Sequence, residues 1–300
     1  MKTINFSIII PHKNIPNLLQ RCLDSIPFRE DIQIIIVDDN SNPAIVDFAH
    51  FPGRLSPNIE VYFTKEGKGA GYARNVGLSH AQGRWLLFAD ADDFFLDGAF
   101  DYLSNYINNP HHIVFFKTQS CYSDSLKKTD RGDIYNQLID NYSTAKIDAE
   151  EWLRYRYYPP WGKLINAELI ITNSINFDET IASEDVMFSL RSGYYAKSIE
   201  VIDSALYCVT AREGSLTNTV SYEMLLARYI VVLTYNQFLV QHGKGRFRTV
   251  YVLYYLCISL KYGILCFSHF VKLAIEYKIN PLLGLNRWIV SYLSNRKRLS

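Results

Sequence analysis

Three hundred residues, 48% of them hydrophobic and 20% charged, supply a core that needs no covalent staple and leave room for one large domain with an appendage or for two modest domains. A net charge of +1, from 31 Lys and Arg against 30 Asp and Glu, argues against nucleic acid as the partner, because a phosphate backbone calls for an electrostatic surplus on whatever binds it. The five cysteines (Cys22, Cys121, Cys208, Cys257 and Cys266) are scattered, with no CxxC pair and no metal-ligand spacing, and read as reduced, buried thiols of a cytosolic protein.

Lys2 is followed directly by the strand-like FSIIIP, so no secretory leader is read there, and this β-branched run stopped by proline predicts a central parallel strand over 6–11. Residues 17–26 carry Leu18, Leu19, Cys22, Leu23 and Ile26 at helical spacing, entered through Asn14 and Pro16 and closed before Pro27. IQIIIVDDNS, at 32–41, repeats the strand pattern and ends in two acids, Asp38 and Asp39. Two strands joined by one helix make a βαβ unit, and both carboxyl ends then face the same crevice. IEVYFT, at 59–64, is a third strand.

Residues 67–83, GKGAGYARNVGLSHAQG, place glycines at 67, 69 and 71 before a helix that Arg74 and Asn75 begin and whose inner face is Ala73, Val76, Leu78 and Ala81. As a dinucleotide fingerprint this is poor: the third glycine of GxGxxG would fall at Arg74, and the loop follows the third strand rather than the first. An arginine there offers a counter-charge for an anion at a helix N-terminus, although a surface glycine loop before an ordinary helix has the same look. In 83–95, GRWLLFADADDFF, a buried strand delivers Asp90, Asp92 and Asp93 to its C-terminal end, the edge at which open α/β sheets bind ligands. Acids at i and i+2 of an extended chain point the same way, so Asp90 and Asp92 can share one hard divalent cation while Asp93 faces elsewhere. A solvated turn capping the next helix is the competing reading.

FSIIIPHKN, IIIVDDNS, GAGYARNVG and WLLFADADD, in that order, resemble the nucleotide-sugar half of an inverting family 2 glycosyltransferase with the GT-A fold. PWGKLINAELI at 160–171 and FDETIASEDVMFSLR at 177–191 extend the likeness to about Thr217. The resemblance implies that Pro11 and Asp39 hold the nucleobase, with Asp38 beside them in a structural role, and that Gly71 and Arg74 lie near the base and phosphates. It implies that Asp90 and Asp92 form the family's DxD pair, at the ribose and the metal respectively, with Asp93 making that assignment ambiguous by one position. A Mg²⁺ or Mn²⁺ ion would bridge the acids and the diphosphate, as suits hard oxygen ligands. In the family's matching motif the aspartate of the SED triplet at 183–185 is the base, which points to Asp185, with Glu184 second; acids in a first helical turn are also favoured by the helix dipole alone. Trp161 and Lys163 fall in a W-x-K motif at the floor of the acceptor region, and Arg212 and Ser215 in a loop that reaches back toward the diphosphate.

Between 113 and 152 the motifs thin: IVFFK reads as a strand, SCYSDSLKKTDRGD as a polar excursion, and a helix surrounds Asn136 to Ile139. From Ser221 the chain turns helical, with Leu225, Leu226, Tyr229, Ile230 and Leu233 on one face of a helix reaching about Gln241. The next stretch, 249–274, is apolar almost all round, but Lys261 at its centre makes a transmembrane span costly. A helix packed on the catalytic domain or lying in a membrane interface, helped by Arg287, Trp288, Arg296, Lys297 and Arg298, is preferred; a helical hairpin for core packing or dimerisation is the alternative.

The expectation is an α/β GT-A domain over 1–220, Rossmann-like with a mostly parallel sheet between helices, its nucleotide-sugar half over about 1–110 and its acceptor half over about 111–220, followed by a helical extension over 221–300. The function expected is a metal-dependent inverting transferase that moves a sugar from a nucleoside-diphosphate sugar, with UDP favoured, to a hydroxyl of a glycan or lipid-linked glycan in surface-polysaccharide synthesis. It would be cytoplasmic, with peripheral membrane contact and homodimerisation both open. An inactive carbohydrate-binding or scaffold protein on the same fold is one rival. A sugar nucleotidyltransferase is another, but that class calls for a glycine-rich, basic phosphate loop near the N-terminus, where this chain has PHKNIPN.

Overall fold

A computed structural model describes residues 3–212 and 221–285, and the chain divides into two compact units, Met1–Thr180 with Glu184–Ser215 and Ile181–Ser183 with Leu216–Ser300. In the first unit the elements run β1 (Phe6–His12), α1 (Pro16–Asp24), β2 (Ile32–Asp39), β3 (Ile59–Thr64), α2 (Ala70–His80), β4 (Trp85–Phe88), β5 (Phe94–Phe95), α3 (Ala99–Ser104), β6 (Ile113–Tyr122), α4 (Asp133–Ser143), α5 (Ala149–Arg156), β7 (Lys163–Asn166), α6 (Ala167–Thr172), α7 (Glu184–Tyr195) and β8 (Ile199–Ala211). The eight strands form one sheet in the order β3-β2-β1-β4-β7-β6-β8-β5.

The expected α/β architecture is what the chain adopts. β1, β2 and β4 are buried on both faces, which is why their sequences are continuous apolar runs rather than alternating ones. β1 pairs in parallel with β2 on one side and β4 on the other, Phe6 lying opposite both Ile32 and Trp85. The strand order therefore reverses at β1, and the carboxyl ends of β1, β2 and β4 open on one crevice. α1 starts on Pro16 and buries Leu19, Cys22 and Leu23. α2 packs closely on the sheet because Gly77 has no side chain: a Cβ there would lie 2.5 Å from Cγ2 of Ile9.

The second half of the sheet is less regular. β7 runs antiparallel to both β4 and β6, and β8 returns parallel to β6 with a register shift between Phe116 and Thr118. β8 is 13 residues long, and its end pairs with the short β5, which brings Tyr207 to Arg212 back beside the acids that follow β4. The strand expected over IVFFK is longer, reaching Tyr122, and β7 and β8 stand where no strand is expected from the sequence.

The second unit is built from α8 (Tyr222–Gln241), α9 (Tyr251–Ser259) and α10 (Ile264–Glu276), with Leu225, Tyr229, Leu233, Leu256, Phe270 and Ala274 among its buried contacts. The Ser221 side chain caps α8 by accepting from the Met224 N–H. The single apolar stretch expected over 249–274 is broken by a 3₁₀ turn at Leu260–Tyr262 and by Gly263, whose φ of 100° suits a residue without Cβ. Among the described residues no helix is long and apolar enough to cross a membrane. Ser215, Arg287, Trp288, Arg296, Lys297 and Arg298 lie outside the described residues. Of the cysteines, Cys22, Cys121 and Cys208 are free and buried as expected, whereas Cys257 of α9 is exposed and Cys266 of α10 only half-buried.

Candidate active site

The two acids that end β2 have separate fates, as alternation along a strand requires. Asp38 accepts from the backbone N–H and hydroxyl of Ser41 (2.9 and 2.5 Å) and lies 2.7 Å from Nδ1 of His12, whose Nε2 accepts from the Ile15 N–H at 3.2 Å. Burial opposes its charge, the His12 and Ser41 hydrogen bonds outweigh that, and its pKa is lowered. Asp38 thus fixes the β1–α1 and β2 turns. Asp39 accepts through Oδ2 from Lys13 Nζ (3.2 Å) and the Gly69 N–H (2.9 Å), while its buried Oδ1 has no partner among the described residues. An orphaned carboxylate oxygen at the crevice edge is an acceptor held ready for a donor group. Pro11 is half-buried one residue before His12, opposite Val37.

Arg74 joins what the sequence keeps far apart. It is buried in α2 and donates through one arm to Asp90 (2.7 Å) and through the other to Glu184 (2.8 Å), with its guanidinium also over the Phe177 ring. Burial works against its charge, the carboxylates of Asp90 and Glu184 more than offset this, and its pKa is raised. The helix starts at Ala70, one turn before the expected Arg74, so the arginine lies within α2 rather than at its first residue. Its anions are the protein's own carboxylates. Asp185, next to Glu184 in the first turn of α7, lies within the field of Glu184, Arg74 and Asp90; burial first and Glu184 second push its pKa up to about 7.

Asp90 to Asp93 do not continue the strand. Asp93 N–H donates to the Asp90 carbonyl at 3.0 Å, a tight turn, so the expectation that Asp90 and Asp92 align along an extended chain is corrected: they converge through a turn, each held by its own arginine. Asp92 accepts from Nε of Arg212 at 2.8 Å, and burial together with Asp90 raises its pKa. Asp93 is buried, accepts from the Thr210 N–H at 2.7 Å, and is pushed well above the usual carboxylate range by burial and then by Asp90 and Asp92. Three residues absent from the sequence reading hold this turn: the Tyr207 hydroxyl accepts from the Asp90 N–H (2.9 Å), the Thr210 hydroxyl donates to the Asp92 carbonyl (2.8 Å), and Arg21 of α1 donates to the same carbonyl (2.6 Å). Tyr207 and Thr210 lie on β8, a strand that no sequence pattern marks.

Trp161 and Lys163 are brought near, but not as an open acceptor floor. Both are buried: Trp161 stacks against Tyr207 at a ring separation of 6.2 Å, and Nζ of Lys163 donates to the Tyr157 carbonyl (2.7 Å) and the Ser189 hydroxyl (2.9 Å). Lys163 ties β7 to α7, the helix that carries Asp185, and burial pushes its pKa down to about 7. Gly71 likewise acts through packing. A Cβ on it would lie 2.3 Å from the Asp178 carbonyl oxygen and 3.0 Å from Cβ of Glu184.

A divalent metal is implied by the resemblance, and the donor set decides where it fits. Among the described residues no group of three or more His, Cys, Asp and Glu side chains could hold a metal ion. Mg²⁺ and similar ions are usually held by one or two carboxylates, with substrate phosphates and water completing the shell. Asp90 and Asp92 fit that requirement: each engages an arginine through one oxygen, and burial first and the Asp90 charge second raise the pKa of Asp92, a state a cation relieves. Asp93 fits poorly, being buried and committed to the Thr210 backbone.

A family model described as "Glycosyl transferase family 2" matches residues 7–170. The "Uncharacterized glycosyltransferase EpsJ" of Bacillus subtilis (strain 168) is 28% identical over 223 residues, covering 70% of this chain and 62% of that protein. The poly(ribitol-phosphate) beta-N-acetylglucosaminyltransferase TarS of Staphylococcus aureus is 24% identical over 218 residues, covering 70% and 36%. The crystal structure of TarS 1-349 in complex with UDP-GlcNAc superposes with a TM-score of 0.64 at 20% identity, over 91% of this chain and 80% of that one. A mannosyltransferase, PcManGT from Pyrobaculum calidifontis, in complex with GDP-Man and Mn²⁺, gives 0.59 at 14% identity over 97% and 80%. The fold is that of these GT-A structures. The chain spans between 31% and 62% of the length of the first curated relatives it matches.

Proposed function

The chain belongs to glycosyl transferase family 2, and on that premise we propose that it moves one sugar, with inversion, from a nucleoside-diphosphate sugar to a hydroxyl of a glycan or lipid-linked glycan in bacterial surface-polysaccharide synthesis. UDP is the favoured nucleotide, in line with the complexes of TarS 1-349 with UDP-GlcNAc and with UDP. The work is assigned to the cytoplasmic side, where such donors are made. The observation that carries the reading is the single cluster in which Arg74 joins Asp90 to Glu184 while Asp185 stands beside them with a pKa near neutrality.

Each residue then has a chemical task. Asp39, with Oδ1 free and buried at the end of β2, accepts from the ring N–H of the base. Arg74 holds Asp90 in place for the ribose, and Tyr207, Thr210 and Arg21 hold the turn that presents Asp92. A Mg²⁺ or Mn²⁺ ion held by Asp90 and Asp92 would act as a Lewis acid on the departing diphosphate. Arg212, exposed by about a third on its side chain and already beside Asp92, is placed to exchange that carboxylate for a phosphate oxygen. Asp185 takes the proton from the attacking acceptor hydroxyl. A base is most effective with a pKa near the working pH, and burial gives this carboxylate about 7. Glu184, committed to Arg74, serves as a positioning residue rather than the base.

Thermal denaturation with nucleoside diphosphates, with and without Mn²⁺, tests the reading, since a ligand of the native state raises the melting temperature. UDP with metal is expected to give the largest shift, and Asp92→Ala to remove its metal-dependent part. A variant stabilised by Mn²⁺ and UDP as strongly as the parent would overturn the assignment of Asp92.

A further inference from the structure

Large apolar side chains lie exposed singly over any protein, but in the second unit they run together. Four of the six residues from 260 to 265 are large and apolar, and Leu260, Ile264 and Leu265 are 50%, 69% and 82% exposed, with Tyr262 also open. This turn continues two outer helix faces. Tyr251 and Tyr254, three apart on α9 and each more than half exposed, lead into it, opposite the buried Val252, Leu256 and Ser259. On α10 the stripe of Leu265, Lys272 and Ile275 leads away, opposite the buried Phe270 and Ala274.

Charge identifies what such a face meets. Residues 221–285 carry seven Lys and Arg against only Glu223 and Glu276, and residues 286–300 add four more basic residues and no acid, whereas the whole chain is only +1. Lys261 lies inside the apolar turn and is exposed, and Lys272 is on the outer stripe. A self-complementary contact between two copies would set these cations against each other. An apolar ridge with tyrosines and lysines on one face, in helices of nine and 13 residues, too short for a hydrocarbon layer of about 30 Å, is the composition of an element that lies in a bilayer interface.

We propose that the face formed by Tyr251, Tyr254, Leu260, Ile264 and Leu265, with Lys261 and Lys272, docks on the surface of a bilayer rich in anionic phospholipid. Ile264 and Leu265 enter the headgroup–acyl boundary, and the lysines meet the negative surface; neither contribution anchors strongly alone, so binding is reversible and salt-sensitive. The inference rests on the proposed function only for its purpose, since a lipid-linked acceptor is met at such a surface. The docking itself is independent of donor chemistry.

Flotation of the full chain with vesicles of phosphatidylglycerol and phosphatidylcholine, against vesicles of phosphatidylcholine alone, tests it. Binding is expected to the anionic vesicles only and to fall as salt rises. Ile264→Asp with Leu265→Asp, at positions too exposed to matter for the core, should lower the partition coefficient at least tenfold, and Lys261→Glu with Lys272→Glu about fivefold for each site. UDP-induced thermal stabilisation of the same variants should equal the parent's, which shows that they are folded. Absence of binding to anionic vesicles, or binding unchanged in the double aspartate variant, overturns the proposal. So does a dimer in sedimentation that the double aspartate variant dissociates while vesicles are ignored, which would assign the face to a second copy. A parent chain that floats but shows no stabilisation by any nucleotide counts against the proposed function and leaves the docking standing.

Discussion

Nε of Arg212 stands 2.8 Å from Oδ2 of Asp92, so an arginine just past the end of β8 neutralises the second acid of the turn after β4. Burial and Asp90 raise the pKa of Asp92, and Arg212 acts the other way. Removing the arginine should let protons compete more strongly with a cation for that carboxylate. In Arg212→Ala, the Mn²⁺ requirement for UDP-induced stabilisation should therefore rise more between pH 8 and pH 6 than it does in the parent. An equal pH dependence in the two proteins would mean that Asp92 is not the carboxylate the cation uses.

Arg74 is the charge on which Asp90 and Glu184 both depend. Its replacement by methionine keeps most of the volume but leaves two close carboxylates without their cation, and breaking a buried pair from one side typically costs about 3–5 kcal/mol. Denaturant unfolding at pH 7 should show a loss near the lower end, because Asp90 and Glu184 keep partial contact with water. Adding Glu184→Gln removes the repulsion between the two carboxylates and should recover about 1 kcal/mol. Full additivity of the two changes would show that the pair does not interact.

Gly71 makes a prediction about packing. The 2.3 Å approach of a built Cβ to the Asp178 carbonyl oxygen involves backbone on one side and Glu184 on the other, neither of which can swing aside. Gly71→Ala should cost about 1–3 kcal/mol in denaturant unfolding, the usual penalty for overpacking. It should also weaken donor stabilisation, because the shift falls on Glu184 and through it on Arg74 and Asp90. Unchanged stability would show that the 177–184 segment yields freely.

How much was legible in advance follows from where each signal resides. β1, β2 and β4 announce themselves because central parallel strands are apolar on both faces and end at proline or acids, and β3, at the sheet edge, by its short β-branched and aromatic run. β8 does not: Asp203 and Ser204 interrupt it where its register with β6 slips, and no period survives a slip. The residues it contributes, Tyr207 and Thr210, were therefore invisible, although they hold the acid turn across 117 and 118 positions of sequence. In the sequence Arg74 reads as a counter-charge without revealing its partners, since pairing it with Glu184 spans 110 positions. Lys163 takes its expected place at the acceptor floor from the W-x-K motif, which carries no sign of burial, and only the Tyr157 carbonyl and Ser189 hydroxyl explain why this lysine is buried. The break at Gly263 had a signal in the sequence, a glycine inside a helical run, that was outweighed by the apolar residues around it.

The pH profile offers the sharpest test of Asp185. A carboxylate with an ordinary pKa is ionised throughout the neutral range, and a rate that needs it as a base would be flat there. Burial and Glu184 push Asp185 up to about 7, so the protonated, inactive form is populated below neutrality and the base is recovered as pH rises. With other ionisations unchanged, kcat/KM for transfer should climb about tenfold per pH unit well below 7 and level off above it. Asp185→Asn should lower kcat by about 10²–10⁴, the usual worth of a general base, and abolish that rise. UDP-induced thermal stabilisation should be kept, because Asp185 makes none of the contacts assigned to the donor. Glu184→Gln separates the two neighbours: removing its charge lowers the Asp185 pKa and moves the rise to lower pH, whereas a variant of Glu184 that loses the rise altogether would transfer the role of base to Glu184.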